Sequence, residues 1–177
     1  MRAKPPPNYL AAYPATLVEQ VQQLIAEENF AGWILQKYPL AHDVRTDRAL
    51  YDFVQQIKDS YLRNTGALSR VAFDGSLQLM RRALGMHSRI SQVQGINLKT
   101  RREIQVAAVF REMPLGFLRM IVVHELAHLK EREHNKAFYQ LCLHMEADYH
   151  QLEFELRAYL TYLDATGKPL WGVTGSR

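Results

Sequence analysis

Apolar residues recur along this chain at two spacings, every third or fourth position and every second, and the switches between them mark out its elements. Leu17, Val21, Leu24 and Ile25 predict a first helix running to about Asn29, opened by Thr16-Leu-Val-Glu19 in the form of a capping box. Gly32 to Pro39 reads as a turn that carries the apolar anchors Trp33, Ile34 and Leu35 and stops before the proline. A second helix begins near Thr46, with Leu50, Phe53, Val54, Ile57 and Tyr61 as its buried stripe. These two helices are expected to form a cover over the rest.

From Arg70 the period changes. Val71-Ala-Phe73 predicts a short strand, Asp74-Gly75 a turn, and Ser76 to Leu84 a helix closed by Gly85. Ser88 to Gln94 and Ile96 to Lys99 flank Gly95 like a hairpin, and Ile104 to Phe110 alternates most clearly of all. Pro114 then opens a helix whose Phe117 to Val123 is apolar nearly all round, the mark of a buried helix. Beyond His134 the stripe Phe138, Leu141, Met145, Tyr149, Leu152, Leu156, Tyr159 and Leu163 makes one long helix or two, with Asp148 and Gln151 able to cap the second. Gly167-Lys-Pro169 ends the structured part. The expected fold is α+β, a small and mostly antiparallel sheet packed on helices, one of them buried. We read residues 1–177 as one domain, with a helical part over 1–65, a core over 66–165 and a tail over 166–177.

Composition adds little to that picture and charge adds more. With 177 residues and 47% hydrophobic content the chain has the make-up of one ordinary globular domain. The start, Met1 to Asn8, leads into no apolar signal core, and no run is long enough to cross a bilayer, so a cytoplasmic protein without membrane contact is expected. A single cysteine, Cys142, agrees and is best read as core packing. The net charge of +4 is uneven: residues 63–119 hold ten Lys/Arg against three Asp/Glu, and 120–165 hold four against eight. Arg81, Arg82, Arg89, Lys99, Arg101, Arg102 and Arg111 could face an acidic partner, nucleic acid included. A solvated Arg-rich surface is the better reading, because no aromatic residues interleave with them to stack bases.

The chemistry is concentrated in residues 120–136. On a helix, His124 and His128 stack one turn apart on one face and can chelate a single metal. Glu125 projects toward the edge of that face, where a carboxylate reaches a water on the metal without becoming a ligand. A chance His-Glu-x-x-His in a chain of this composition has a frequency of about two per cent. His134 on an unbroken helix would lie roughly 120° around the axis and about 9 Å along from His128. It can be the third ligand only if the helix ends near Lys130 and a new one starts at Asn135, a good cap.

Three neutral imidazoles on Zn²⁺ leave a fourth position for water, with Glu125 as general base. The first reading is a zinc-dependent hydrolase of peptide bonds, its extended peptide or protein substrate pairing with an exposed strand. Hydrolysis of a non-peptide amide fits equally. The rival from another class is a non-catalytic, metal-stabilised module that binds nucleic acid or an acidic protein through the basic segment. Glu125 speaks against it, since a structural site has no use for that carboxylate and usually takes four protein ligands. Tyr149 and His150 are candidates for a second electrophile, although Tyr149 is better read as core. His144 and His150 are left out of the site, and oligomeric state is left open.

Four segments carry a resemblance: Ser-Arg-Ile-Ser-Gln-Val-Gln-Gly (88–95), Phe-Leu-Arg-Met-Ile-Val-Val-His-Glu-Leu-Ala-His-Leu-Lys-Glu (117–131), Glu-His-Asn-Lys-Ala-Phe-Tyr-Gln-Leu-Cys (133–142) and Asp-Tyr-His-Gln-Leu-Glu-Phe (148–154). Over roughly residues 9–165 the chain resembles the YgjP-like metallopeptidase family. That likeness implies a zincin-like α+β fold, a metal on His124, His128 and His134, and Glu125 as catalytic residue. The metal motif alone is also similar to that of the SprT and WLM proteases. Metzincins carry glycine three residues after the second histidine, where this chain has Glu131, and Met145 is better read as core than as their methionine turn.

Overall fold

The computed structural model describes residues 8–75 and 102–172. In chain order these form α1 (Ala15–Ala26), α2 (Phe30–Lys37), α3 (Asp47–Tyr61), β1 (Arg70–Asp74), β2 (Glu103–Ala107), a 3-10 turn (Ala108–Glu112), α4 (Leu115–Ala127), α5 (Lys136–Met145) and α6 (Tyr149–Thr166). The α+β class is as expected. The predicted helix over 76–84, the strands over 88–94 and 96–99, and Arg81, Arg82, Arg89, Lys99 and Arg101 lie outside the described residues.

In the N-terminal part α3 forms as predicted, although Tyr61, expected in its buried stripe, is exposed at the last turn. The Thr46 hydroxyl accepts from the Ala49 N–H at 3.1 Å, satisfying a donor the first turn leaves unpaired, and Leu50, Val54 and Ile57 are buried. Two expectations change. The capping box does not form, because α1 starts two residues earlier, with Pro14 at its N-cap and Thr16 already inside the helix. Gly32 to Pro39 is not a turn: α2 runs through Gly32, and Phe30 and Ile34, one turn apart, are both buried. Phe30 stacks on Tyr162 of α6 at 4.8 Å, and that burial outweighs the weak helix propensity of one glycine. Glu28, at φ 59°, closes α1, and the Asn29 N–H reaches back to the Leu24 carbonyl at 2.9 Å. Nor are these helices merely a cover. Val21, Phe30, Ile34, Leu50 and Val54 belong to the same buried cluster as the residues of α4 and α6.

The sheet corrects the expected strand sense. β1 and β2 pair parallel, with Val71 opposite Ile104 and Phe73 opposite Val106, where a mostly antiparallel sheet was predicted. Parallel strands need a connection of about a dozen residues or more, and the chain between β1 and β2 is long enough to supply it. β2 also ends sooner than its alternation suggests. Its pairing stops where Ala107 meets Asp74, the last residue of β1, and the chain tightens into the 3-10 turn that buries Phe110. His42 ties down the end of this turn: its Nε2–H donates to the Phe110 carbonyl at 2.7 Å and its backbone N–H to the Met113 carbonyl at 3.1 Å.

α4 is the central element, packed against β2, α3, α5 and α6. Phe117, Leu118 and every residue from Met120 to His124 are buried, so its apolar girth is accounted for by neighbours on all sides. A Cβ on Gly116 would come within 3.0 Å of Leu152 Cδ2, and this close approach sets α4 against α6. The stripe after His134 is two helices. Asp148 stands before α6 without a side-chain capping bond, and Gly167, at φ 67°, ends it in the left-handed conformation. Beyond it Trp171 is buried, its indole N–H donating to the Tyr38 carbonyl at 2.7 Å, so the segment expected as a tail is anchored there. Among the described residues no helix is long and apolar enough to cross a membrane.

Candidate metal centre

The two helices that carry the histidines are separated by a turn. α4 ends at Ala127, His128 is its C-cap, and the N–H groups of Leu129, Lys130 and Glu131 fold back onto the carbonyls of Leu126, Ala127 and Ala127 at 3.0–3.1 Å. Asn135 then takes an extended backbone and its Oδ1 accepts from the Phe138 N–H at 2.9 Å, which starts α5. His134 precedes that cap, so the chain has turned before it arrives.

The result is a convergence of three rings. The Nε2 atoms of His124 and His128 are 3.2 Å apart and those of His128 and His134 are 3.0 Å apart. One nitrogen from each ring lies within 4.8 Å of the others. Two imidazole nitrogens at about 2.0–2.1 Å from one tetrahedral zinc would be about 3.3 Å apart, so the spacing fits shared ligation. The protonation states fit as well. His128 Nδ1–H donates to the Glu131 carbonyl at 2.9 Å, which leaves its Nε2 with a free lone pair. Burial lowers the pKa of all three: His124 lies well below 6.5, with His128 and His134 adding to the effect, and His128 and His134 are lowered less. Neutral imidazoles are the ligating form. Phe138, fully buried, underlies the cluster with its ring centroid 4.9, 4.6 and 4.8 Å from those of His124, His128 and His134. Exposure rises across the cluster: His124 is buried, His128 half-buried and His134 exposed. These residues could hold one metal ion, open to solvent on the His134 side.

Glu125 follows His124 on α4 and is half-buried. Among the described residues its carboxyl has no hydrogen-bond or ion partner, and desolvation pushes its pKa up to about 7. Such a group can hold or release a proton near neutrality.

Two contacts of the cluster were not legible in the sequence. Tyr149 is fully buried, as its place in the apolar stripe predicts, yet its hydroxyl meets His124 Nδ1 at 2.8 Å. The Glu131 contact uses a backbone carbonyl, which no side-chain pattern announces. His144 packs edge-on against Tyr61 and does not join the triad. His150 is exposed and lies against the Tyr139 and Tyr149 rings at 5.4 and 5.5 Å.

Comparison with known proteins gives two matches. The family model described as YgjP-like, metallopeptidase domain, matches residues 88–159. A UTP pyrophosphatase of Escherichia coli (strain K12) is 52% identical over 156 residues, 88% of this chain and 93% of that protein. No solved structure matches the chain significantly.

Proposed function

The chain belongs to the YgjP-like family, and from that premise we propose that it is a metal-dependent hydrolase that splits the phosphoanhydride of UTP into UMP and pyrophosphate. The observation that carries the hydrolase reading is the convergence of three neutral imidazole nitrogens at ligand spacing, one of them on the residue before Glu125. The substrate is taken from the activity named for the E. coli relative, at 52% identity over nearly its whole length.

In this reading His124, His128 and His134 hold one divalent cation through Nε2, and zinc suits three imidazoles in a tetrahedral set. When bound, the ion supplies Lewis acidity, which acidifies water and offsets charge on the phosphate oxygens. Glu125 takes a proton from the attacking water as the new P–O bond forms and the anhydride P–O bond between the α and β phosphates breaks. Its pKa near 7 suits that task, because the carboxylate is present in quantity and basic enough to accept. Pyrophosphate leaves as an anion of a fairly strong acid, so the proton on Glu125 can pass to solvent rather than to the leaving group. The excess of Lys and Arg over residues 63–119 suits a triphosphate as the acidic partner.

Peptide hydrolysis is the second reading, favoured by the metallopeptidase description of the matching family model. It makes heavier demands. A leaving amine must receive the proton from Glu125, and a second electrophile is usually needed for the oxyanion. Tyr149 would be the obvious candidate, but it is fully buried and its hydroxyl is committed to His124. The test is to load purified protein with zinc and assay UTP, the other nucleoside triphosphates and a peptide library side by side. Equimolar UMP and pyrophosphate from UTP is the expected result. Cleaved peptides with intact UTP would install the second reading, and neither product at full metal occupancy would favour the non-catalytic module.

A further inference from the structure

We infer that Tyr149 is a positioning residue for the metal, one whose hydroxyl pairs with the Nδ1 of His124 and so holds that ring for ligation through Nε2. The inference rests on the reading of the triad as a metal site. It starts from the geometry at the buried end of the cluster. His124 is only 3% exposed, its Nδ1 lies 2.8 Å from the Tyr149 hydroxyl, and Tyr149 is itself fully buried, so water does not compete for either group. Among the described residues no other group bonds to Nδ1.

The hydrogen-bond bookkeeping then has two solutions. His128 gives its Nδ1 proton to the Glu131 carbonyl, so its Nε2 presents a lone pair toward His124 Nε2 at 3.2 Å. Without a cation, His124 satisfies that lone pair by carrying its own proton on Nε2, and the Tyr149 O–H donates to the bare Nδ1. With a cation among the three Nε2 atoms, the His124 proton must sit on Nδ1. The Tyr149 oxygen then accepts it, and its own O–H can turn away from His124 toward the neighbouring Cys142 sulfur. Tyr149 can act in both states because a phenol donates and accepts. Phenylalanine can do neither: it leaves a bare acceptor without a cation and an unpaired N–H with one, and the second costs more because ligation polarises that N–H. Partners of this kind on ligating histidines are typically worth about 10- to 100-fold in metal affinity.

The experiment compares wild type with Tyr149→Phe. Zinc affinity, measured by competition with a chromophoric chelator, should fall about 10- to 100-fold in the variant. Equal affinity within twofold would overturn the inference while leaving the hydrolase reading standing. A second measurement is NMR of the imidazole rings, which should place the His124 proton on Nε2 in wild type without zinc and on Nδ1 with it. Zinc alone forces that exchange, so the decisive reading is the loaded Nδ1–H: its hydrogen-bonded downfield shift should be present in wild type and lost in Tyr149→Phe, and a shift that the substitution leaves unchanged, or the same tautomer in both states of wild type, would overturn the inference. If wild type takes up no zinc, the reading of the triad fails, and the inference with it.

Discussion

His128 and His134 are six residues apart, and their Nε2 atoms are 3.0 Å apart. A continuous helix would have separated them by about 9 Å along its axis. The turn over residues 129–135 closes that gap, and the Asn135 cap fixes where it ends. Replacing any of His124, His128 or His134 with alanine should therefore lower zinc stoichiometry well below one per chain, while His144→Ala leaves it unchanged. Metal analysis after dialysis against zinc checks this, and full occupancy in a single-alanine variant would remove that histidine from the ligand set.

Asn135→Ala tests the same turn from its other side. Loss of a capping side chain costs about 1 kcal/mol, here at the start of α5. The metal-free variant should melt several degrees lower, and zinc should recover part of the loss, because ligation of His134 re-forms the end of the turn. Thermal melts with and without zinc decide it, and an unchanged melting temperature would show that the cap is dispensable.

Glu125→Gln keeps shape and a hydrogen-bonding group but cannot take a proton at neutral pH. Zinc content and fold should survive, and UTP turnover should fall by a factor of about 10² to 10⁴, the usual worth of a general base. Wild-type turnover in a fully loaded variant would remove Glu125 from the mechanism.

His42 predicts an acid dependence outside the metal site. It is 6% exposed, and both ring nitrogens are committed in the neutral form: Nε2–H to the Phe110 carbonyl and Nδ1 to the Val44 N–H at 2.9 Å. Burial lowers its pKa below 6.5, opposed by the Phe110 bond; Arg45 lowers it further and Asp43 raises it. Below about pH 6.5 the unfolded chain binds the extra proton and the folded chain does not, so this stabilisation is complete above that pH and is lost as pH falls through the depressed folded value. The metal-free triad acts in the same direction, so the informative comparison is between variants. Between pH 7 and 5, His42→Gln should lose melting temperature less steeply than wild type. Parallel slopes would sink the assignment.

Glu155 links two parts of the chain that the sequence gives no reason to join. Its buried carboxylate receives hydrogen bonds from Lys37 and Tyr38 at the end of α2 and from Gln151 on α6. Glu155→Ala removes all three, with an expected loss of about 2 kcal/mol or more. Urea unfolding measures it, and a change below about 0.5 kcal/mol would show the cluster to be incidental.

What the sequence disclosed and what it hid divide along physical lines. The break before Asn135, the buried α4 and the start of α3 near Thr46 depend on residues within a turn or two of each other, and all were legible. The parallel sense of β1 and β2 depends on a partner some thirty positions away, and no local pattern encodes it. α2 was hidden because Gly32 and Pro39 carry turn signals, whereas its helix is fixed by Phe30 meeting Tyr162 across the fold. Tyr149 was hidden differently. Its apolar position announces burial correctly, and nothing in a periodicity can say that its hydroxyl ends on a histidine.

The rise in exposure from His124 to His134 also bears on how fast an ion is exchanged, separately from how tightly it is held. In the proposed hydrolase His124 and His128 are fixed by α4 and its first residue beyond, while His134 sits on a turn open to solvent. His134 would be the first ligand to meet an arriving ion and the first to release one, so exchange should keep pace with movement of that turn. A protein built this way can bind its metal strongly at equilibrium and still surrender it promptly to a competing chelator.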